Sequence, residues 1–201
     1  MKKIAALFLA GTFVLASMSA SAQAPMRIRG TITGLNGNVL SVKSRDGKDL
    51  KIDLSDKTAV VAAKAITFAD IKPGDFVGPA SRKRADGSLE AISVQLFPAA
   101  LRGVIPESHG PWDLEPGSLM TNSTVAKIAQ APNGRELTLE YPGGTQKVFV
   151  PEGVPMFTTV PGDRSLLVPG AYIFTVARAA PDGTISTGRI SVSKGGVRPA
   201  N

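Results

Sequence analysis

The chain has 201 residues, a formal net charge of +7, a single histidine and no cysteine. Lacking cysteine, it has no disulfide, no thiolate nucleophile and no Cys-built zinc site. One histidine also removes His-rich metal cages, so a hydrophobic core must hold the fold without covalent or metal staples.

The N-terminus reads "MKKIAALFLAGTFVLASMSASAQAPM". Lys2 and Lys3 precede an apolar run from Ile4 to Leu15, and small residues follow. That order predicts a secretory signal peptide over 1–22, cut after Ala22 to leave Gln23 first; a cut after Ala24 would place Pro25 in the protease site. The run falls short of the roughly 20 residues a membrane span needs. The mature chain is therefore expected to be periplasmic or secreted and not membrane-spanning. Lys2 and Lys3 supply two of the seven net charges, leaving +5 spread along the chain apart from Arg82-Lys83-Arg84. Scattered positive charge suits a solvated face and an anionic envelope component as partner.

Beyond the leader one layout occurs twice. "GNVLSVKSRDGKDLKIDL", "ADIKPGDFVG" and "RADGSLEAISV" are followed by "GRELTLEYPGGTQKVFV", "SLLVPGAYIF" and "APDGTISTGRISV". Gly37 matches Gly134, Gly47 matches Gly144, Pro73-Gly74 matches Pro169-Gly170, and Asp86-Gly87 matches Asp182-Gly183. A constant offset of about 96 to 97 residues is the mark of a duplicated unit. Leu50, Ile52 and Leu54 alternate with Asp49, Lys51 and Asp53, and Leu137, Leu139 and Tyr141 repeat the pattern, as half-buried strands do. Asn36-Gly37, Asp46-Gly47, Asn133-Gly134 and Gly143-Gly144 supply hairpin turns. Each copy then reads as three strands, a short helical turn or loop, and two strands. This predicts an all-β protein: two tandem OB-like barrels of about five strands each, over 26–97 and 121–195, with a tail at 196–201. A pair of small open sandwiches is the second choice.

The two copies are joined by a connector over 98–120 with prolines at 98, 106, 111 and 116. Proline argues against helix and interrupts a central strand. The segment nevertheless carries Leu101, Val104, Ile105, Trp112, Leu114, Leu119 and Met120, so it is expected to pack onto something. It includes the chain's only tryptophan, Trp112, which reads as a packing anchor at the junction of the barrels.

The runs Trp112-Asp113-Leu114, Pro116-Gly117-Ser118 and Met120-Thr121-Asn122 resemble a signature of a group of uncharacterised exported bacterial proteins made of tandem small β-barrel repeats. The surrounding layout matches as well. Some members carry the label metal transporter permease, which this chain contradicts, since a permease needs several spans. The resemblance implies fold and compartment and makes Trp112, Asp113, Met120 and Asn122 the candidate binding residues. His109, Met120 and Trp112 also resemble the ligand types of small periplasmic copper-binding barrels, where imidazole and thioether suit Cu(I); that is the alternative metal set.

Other chemistry finds little footing. Ser108 beside His109 is too local for a triad, and no nucleophile elbow, phosphate loop or dinucleotide fingerprint occurs. Asp113 and Glu115 read as solvated or structural carboxylates rather than an acid–base pair. Strands two and three of the first copy carry no aromatic on which bases could stack, so nucleic acid is not expected. Asn122-Ser123-Thr124 fits a glycosylation acceptor, but Asn122 is expected to organise the turn into the second barrel. The sequence thus points to a non-catalytic binding or scaffold protein without cofactor, its partner an envelope protein or anionic envelope component.

Overall fold

The computed structural model describes residues 25–199; the expected leader lies outside them. The described residues are all-β, with eleven strands in one continuous hydrogen-bonded path and a twelfth, β6, paired to β7 beside it. β1 spans Met26–Asn36, β2 Val39–Ser44, β3 Asp49–Ala65, β4 Phe76–Lys83, β5 Leu89–Leu96 and β6 Ser108–Pro111. β7 spans Leu119–Ala131, β8 Gly134–Tyr141, β9 Gly144–Pro151, β10 Met156–Pro161, β11 Tyr172–Ala179 and β12 Ile185–Val192. The expected short helical pieces are 3-10 turns at Phe68–Asp70 and Arg164–Leu166. No helix among the described residues is long and apolar enough to cross a membrane.

Five strands close into a barrel in the order β1-β2-β3-β12-β11. Closure comes from β3 against β12 in parallel and β11 against β1 antiparallel. Five of the other seven strands run β5-β4-β7-β8-β9, and β5 meets β9 in parallel at Leu89↔Val148 and Glu90↔Phe149. This second circuit carries its own apolar cluster around Val77, Val94, Val125, Leu137, Leu139 and Val148. The barrel encloses Ile32, Leu40, Val42, Ile52, Ile173 and Ile190. The two interiors share no residue.

These pairings cross the division expected from sequence. Instead of closing 26–97 on itself, the chain sends β4 and β5 to β7, β8 and β9, while β11 and β12 complete the barrel begun by β1, β2 and β3. Turn dipeptides fix each hairpin locally; nothing in them selects which set of three strands a later hairpin completes. β3 and β10 make the crossing. β3 runs well past its alternating part into Val60-Val61-Ala62-Ala63, buried at every position, and pairs antiparallel with β10. A continuously apolar stretch carries no period by which a strand could be read.

Several strand pairings are related by an approximate two-fold exchange of the two halves. A shift of about 96 residues carries the pair Val61↔Pro161 onto Phe157↔Ala65 and leaves Ala63↔Thr159 in place. It likewise carries Val60↔Ile190 onto Met156↔Val94. Gly170 donates to Ile32 O at 2.9 Å, and its counterpart Gly74 to Val125 O at 2.8 Å. Such self-complementary contact is the geometry of an isologous interface, here within one chain.

The connector departs from expectation by supplying a strand. β6 pairs antiparallel with β7, from Ser108↔Asn122 to Pro111↔Leu119. Pro111 ends it, where a missing N–H costs least.

Candidate functional site

Six residues separate Pro111 and Ser118, and hydrogen bonds tie this loop to itself. Trp112 N donates to Ser118 O at 2.8 Å and Ser118 N to Glu115 O at 3.1 Å. The Ser118 hydroxyl, wholly buried, lies 2.8 Å from Glu115 O and accepts from Glu115 N at 3.2 Å. Gly117 holds φ +77, a left-handed conformation that glycine adopts without cost. The loop also reaches across to the barrel. Asp113 Oδ2 accepts from Arg29 Nη1 at 2.8 Å, and the Arg45 guanidinium donates to Leu114 O at 2.8 Å and to Asp113 O. Burial lowers the Arg29 pKa, a change that Asp113 opposes.

Trp112 is half-buried and stands at the junction. Arg27 lies 4.4 Å from its ring centre and Arg29 5.1 Å, within cation–π range. Phe174 of β11 meets the same indole at 6.2 Å, tilted by 57°. Beyond the indole opens a groove of about 640 Å³. It is lined by Phe174 and Val176 of the barrel and by Phe97, Ile105 and Met120 around the second circuit; Arg27 and Arg178 also line it. Val176 is 49% exposed and Val104, also lining it, 70%. Two buried polar atoms at this groove, Trp112 Nε1 and Asn122 Oδ1, have no hydrogen-bond partner among the described residues.

Of the candidate residues, Trp112, Met120 and Asn122 converge on the groove, while Asp113 points to Arg29 instead. Asn122 sits inside β7 opposite Ser108 and organises no turn, correcting that expectation. A Cβ on Gly78 would stand 2.8 Å from Asn122 Oδ1 and from the Phe97 ring, so this glycine makes room for both. Phe174 and Val176 were not foreseen, although β11 holds the signal: "YIFTV" is apolar on both faces, whereas a half-solvated strand alternates.

The copper set does not assemble. His109 pairs with Thr121, and its Nδ1 lies 2.8 Å from Thr121 Oγ1, with the ring against Tyr141 at 5.8 Å. Met120 is the next residue along β7 and faces the opposite side, into the groove. Successive strand side chains point to opposite faces, so His109 cannot join Met120 and Trp112 on one ion. Among the described residues no group of three or more His, Asp or Glu could hold a metal.

His109 yields a pH prediction. Partial burial, and then the Lys83 charge, hold its pKa below 6.5. The unfolded chain therefore takes up this proton at higher pH than the folded one. Stability from this group is complete above about pH 6.5 and falls as the pH drops through the folded value. Denaturant midpoints at pH 7.5 and pH 5 should show the loss in the parent chain and a smaller loss in His109→Gln; equal losses would assign the slope to other groups.

Compared with protein-family models, with curated proteins and with solved structures, the chain has no match.

Proposed function

We propose that the chain is an exported, non-catalytic binding module made of two OB-type barrels that exchange their last two strands, and that its ligand lies in the Trp112 groove. The strand order around each circuit, three successive strands closed by a two-strand hairpin, is the order an OB barrel uses; the hairpin comes later in the chain for β1-β2-β3 and earlier for β7-β8-β9. The observation that carries the binding reading is the groove itself. Its volume falls in the range of small-molecule sites, its walls are apolar, and a few polar groups converge on it. Trp112 Nε1 offers a donor and Asn122 Oδ1 an acceptor, each lacking a protein partner among the described residues. Arg27 and Arg178 favour a negative head group on an apolar body, which agrees with an anionic envelope component as partner.

As the only tryptophan, Trp112 makes the test direct. Decanoate should shift its fluorescence saturably, and decylammonium should not. Val176→Asp should abolish the decanoate response. An unchanged spectrum, or an equal response in the variant, would reject the groove as the site.

A further inference from the structure

Trp112 reaches the groove from a loop, not from a strand. Residues 112–117 form the tip of the β6–β7 hairpin, and β7 is built into the second circuit through β4 and β8. The tip is braced internally. Trp112 N donates to Ser118 O at 2.8 Å, and the Ser118 hydroxyl lies 3.0 Å from Trp112 O. It therefore shifts as one piece. Its indole faces the other body, with Phe174 at 6.2 Å, Arg27 at 4.4 Å and Arg29 at 5.1 Å. Ring contacts of this kind are favourable over a range of separations, so they do not by themselves fix where the indole stands against the barrel.

Directional bonds to the tip come from Arg45, in the turn between β2 and β3 and 68 residues before Asp113. Its guanidinium donates through Nη1 to Leu114 O at 2.8 Å and through Nη2 to Asp113 O. A planar fork that spans successive carbonyls fixes a main chain in position and in orientation. The base of the fork is held as well. Arg45 N donates to Arg29 O at 2.7 Å, Ser44 N to Lys48 O at 2.8 Å, and Gly47 N, at a residue with φ +82, to Ser44 O at 2.9 Å. Beside the fork the Asp113 carboxylate meets Arg29 at 2.8 Å. Arg45 is exposed, belongs to neither apolar cluster and does not line the groove. What its bonds hold is the piece that carries Trp112.

We infer that Arg45 is a positioning residue for ligand binding: from outside the groove it sets the place of Trp112 within it, a role that rests on the groove being the ligand site. The groove is lined from both bodies, so its shape depends on where the hairpin tip sits against the barrel. With Arg45 in place, the tip is fixed before a ligand arrives, and binding need not order it. Without Arg45 the binding arrangement is one of several. Apparent affinity then falls with the fraction of molecules that hold it.

Arg45→Met keeps the reach of the side chain and removes its donors. Its melting temperature should stay near that of the parent, since the residue is exposed. Acrylamide, an uncharged quencher, should reach Trp112 more readily, and decanoate should bind about tenfold more weakly. Arg45→Lys separates position from charge. It keeps the positive charge but replaces the fork by a single ammonium, and should recover only part of the affinity. Asp113→Asn, which keeps an oxygen for Arg29 and removes the charge, should raise quenching in the same direction. Unchanged quenching in Arg45→Met would overturn the positioning role. So would full recovery in Arg45→Lys, which would leave charge attraction alone, or a weakening matched by a general fall in melting temperature. Quenching needs no ligand, so the two readings fail separately. A parent chain that binds no decanoate rejects the groove as the site; a parent that binds it no better than Arg45→Met rejects Arg45 alone.

Discussion

Ile190→Ala destabilises the protein by about 2–5 kcal/mol, the usual cost of truncating a fully buried aliphatic residue, and the damage appears at the far end of the sequence. Ile190 is wholly buried in β12, in one cluster with Ile28 and Ile32 of β1, Leu40 and Val42 of β2, and Ile52 of β3. No residue of β4, β5 or β7 belongs to that cluster. Amide exchange measured residue by residue should therefore quicken first in β1, β2 and β3, more than a hundred residues away along the chain. β7, β8 and β9, although nearer in sequence, should keep more of their protection. Leu137→Ala, equally buried in the second circuit, should do the reverse, exposing β4 and β5 and sparing β11 and β12. Were each half of the sequence to close on itself, Ile190→Ala would loosen β7–β9 instead. That outcome would reject the exchange.

A cut backbone gives a second large effect. With a protease site inserted after Gly103, cleavage should leave the two pieces in one particle under native conditions. The point is accessible, since Gly103 holds φ +78 in a surface turn beside Val104. The N-terminal piece holds β1–β5 and the C-terminal piece β6–β12. Separating them would open both circuits, exposing Ile28, Leu40 and Ile52 on one side and Leu137, Leu139 and Val148 on the other. At about 1.5–3 kcal/mol per fully buried aliphatic side chain, that loss exceeds the roughly 5–15 kcal/mol that holds a domain. Two fragments on a denaturing gel should thus elute as one species at the uncut size, and part only in denaturant. Two native peaks would mean that each half folds alone.

Much of the local structure was legible because its causes are local. Asp49 to Leu54 alternates, and β3 begins there with Ile52 and Leu54 buried; Asn133 takes a positive φ of 59° at the turn before Gly134, as an Asn-Gly hairpin requires. What escaped is set by partners distant in sequence. Nothing in "TAVVAAKA" announces that β3 continues to Ala65 and meets β10, and without that contact the exchange cannot be foreseen. The site shows the same divide. Trp112, Met120 and Asn122 stand out by residue type and do line the groove, while Phe174 and Arg27 reach it only through the fold. The copper alternative fails on direction: the residue types suit Cu(I), but the opposed faces of neighbouring strand positions follow only once β6 and β7 are known to be strands.

The pairing of Met26 with Ala177 sets the order in which the protein can be completed. A chain delivered from its N-terminus presents β1, β2 and β3 long before β11 and β12. In that interval the hairpin of β4 and β5 is the nearest one able to cap them. Contacts between distant residues form slowly because loop closure must come first, so the early arrangement has the advantage in time and the final one in stability. Folding then becomes a contest between near and far partners, in which β3 and β10 cast the deciding contact. A chain stalled before residue 172 would present three strands with open ends, the kind of species that chaperones and aggregation compete for.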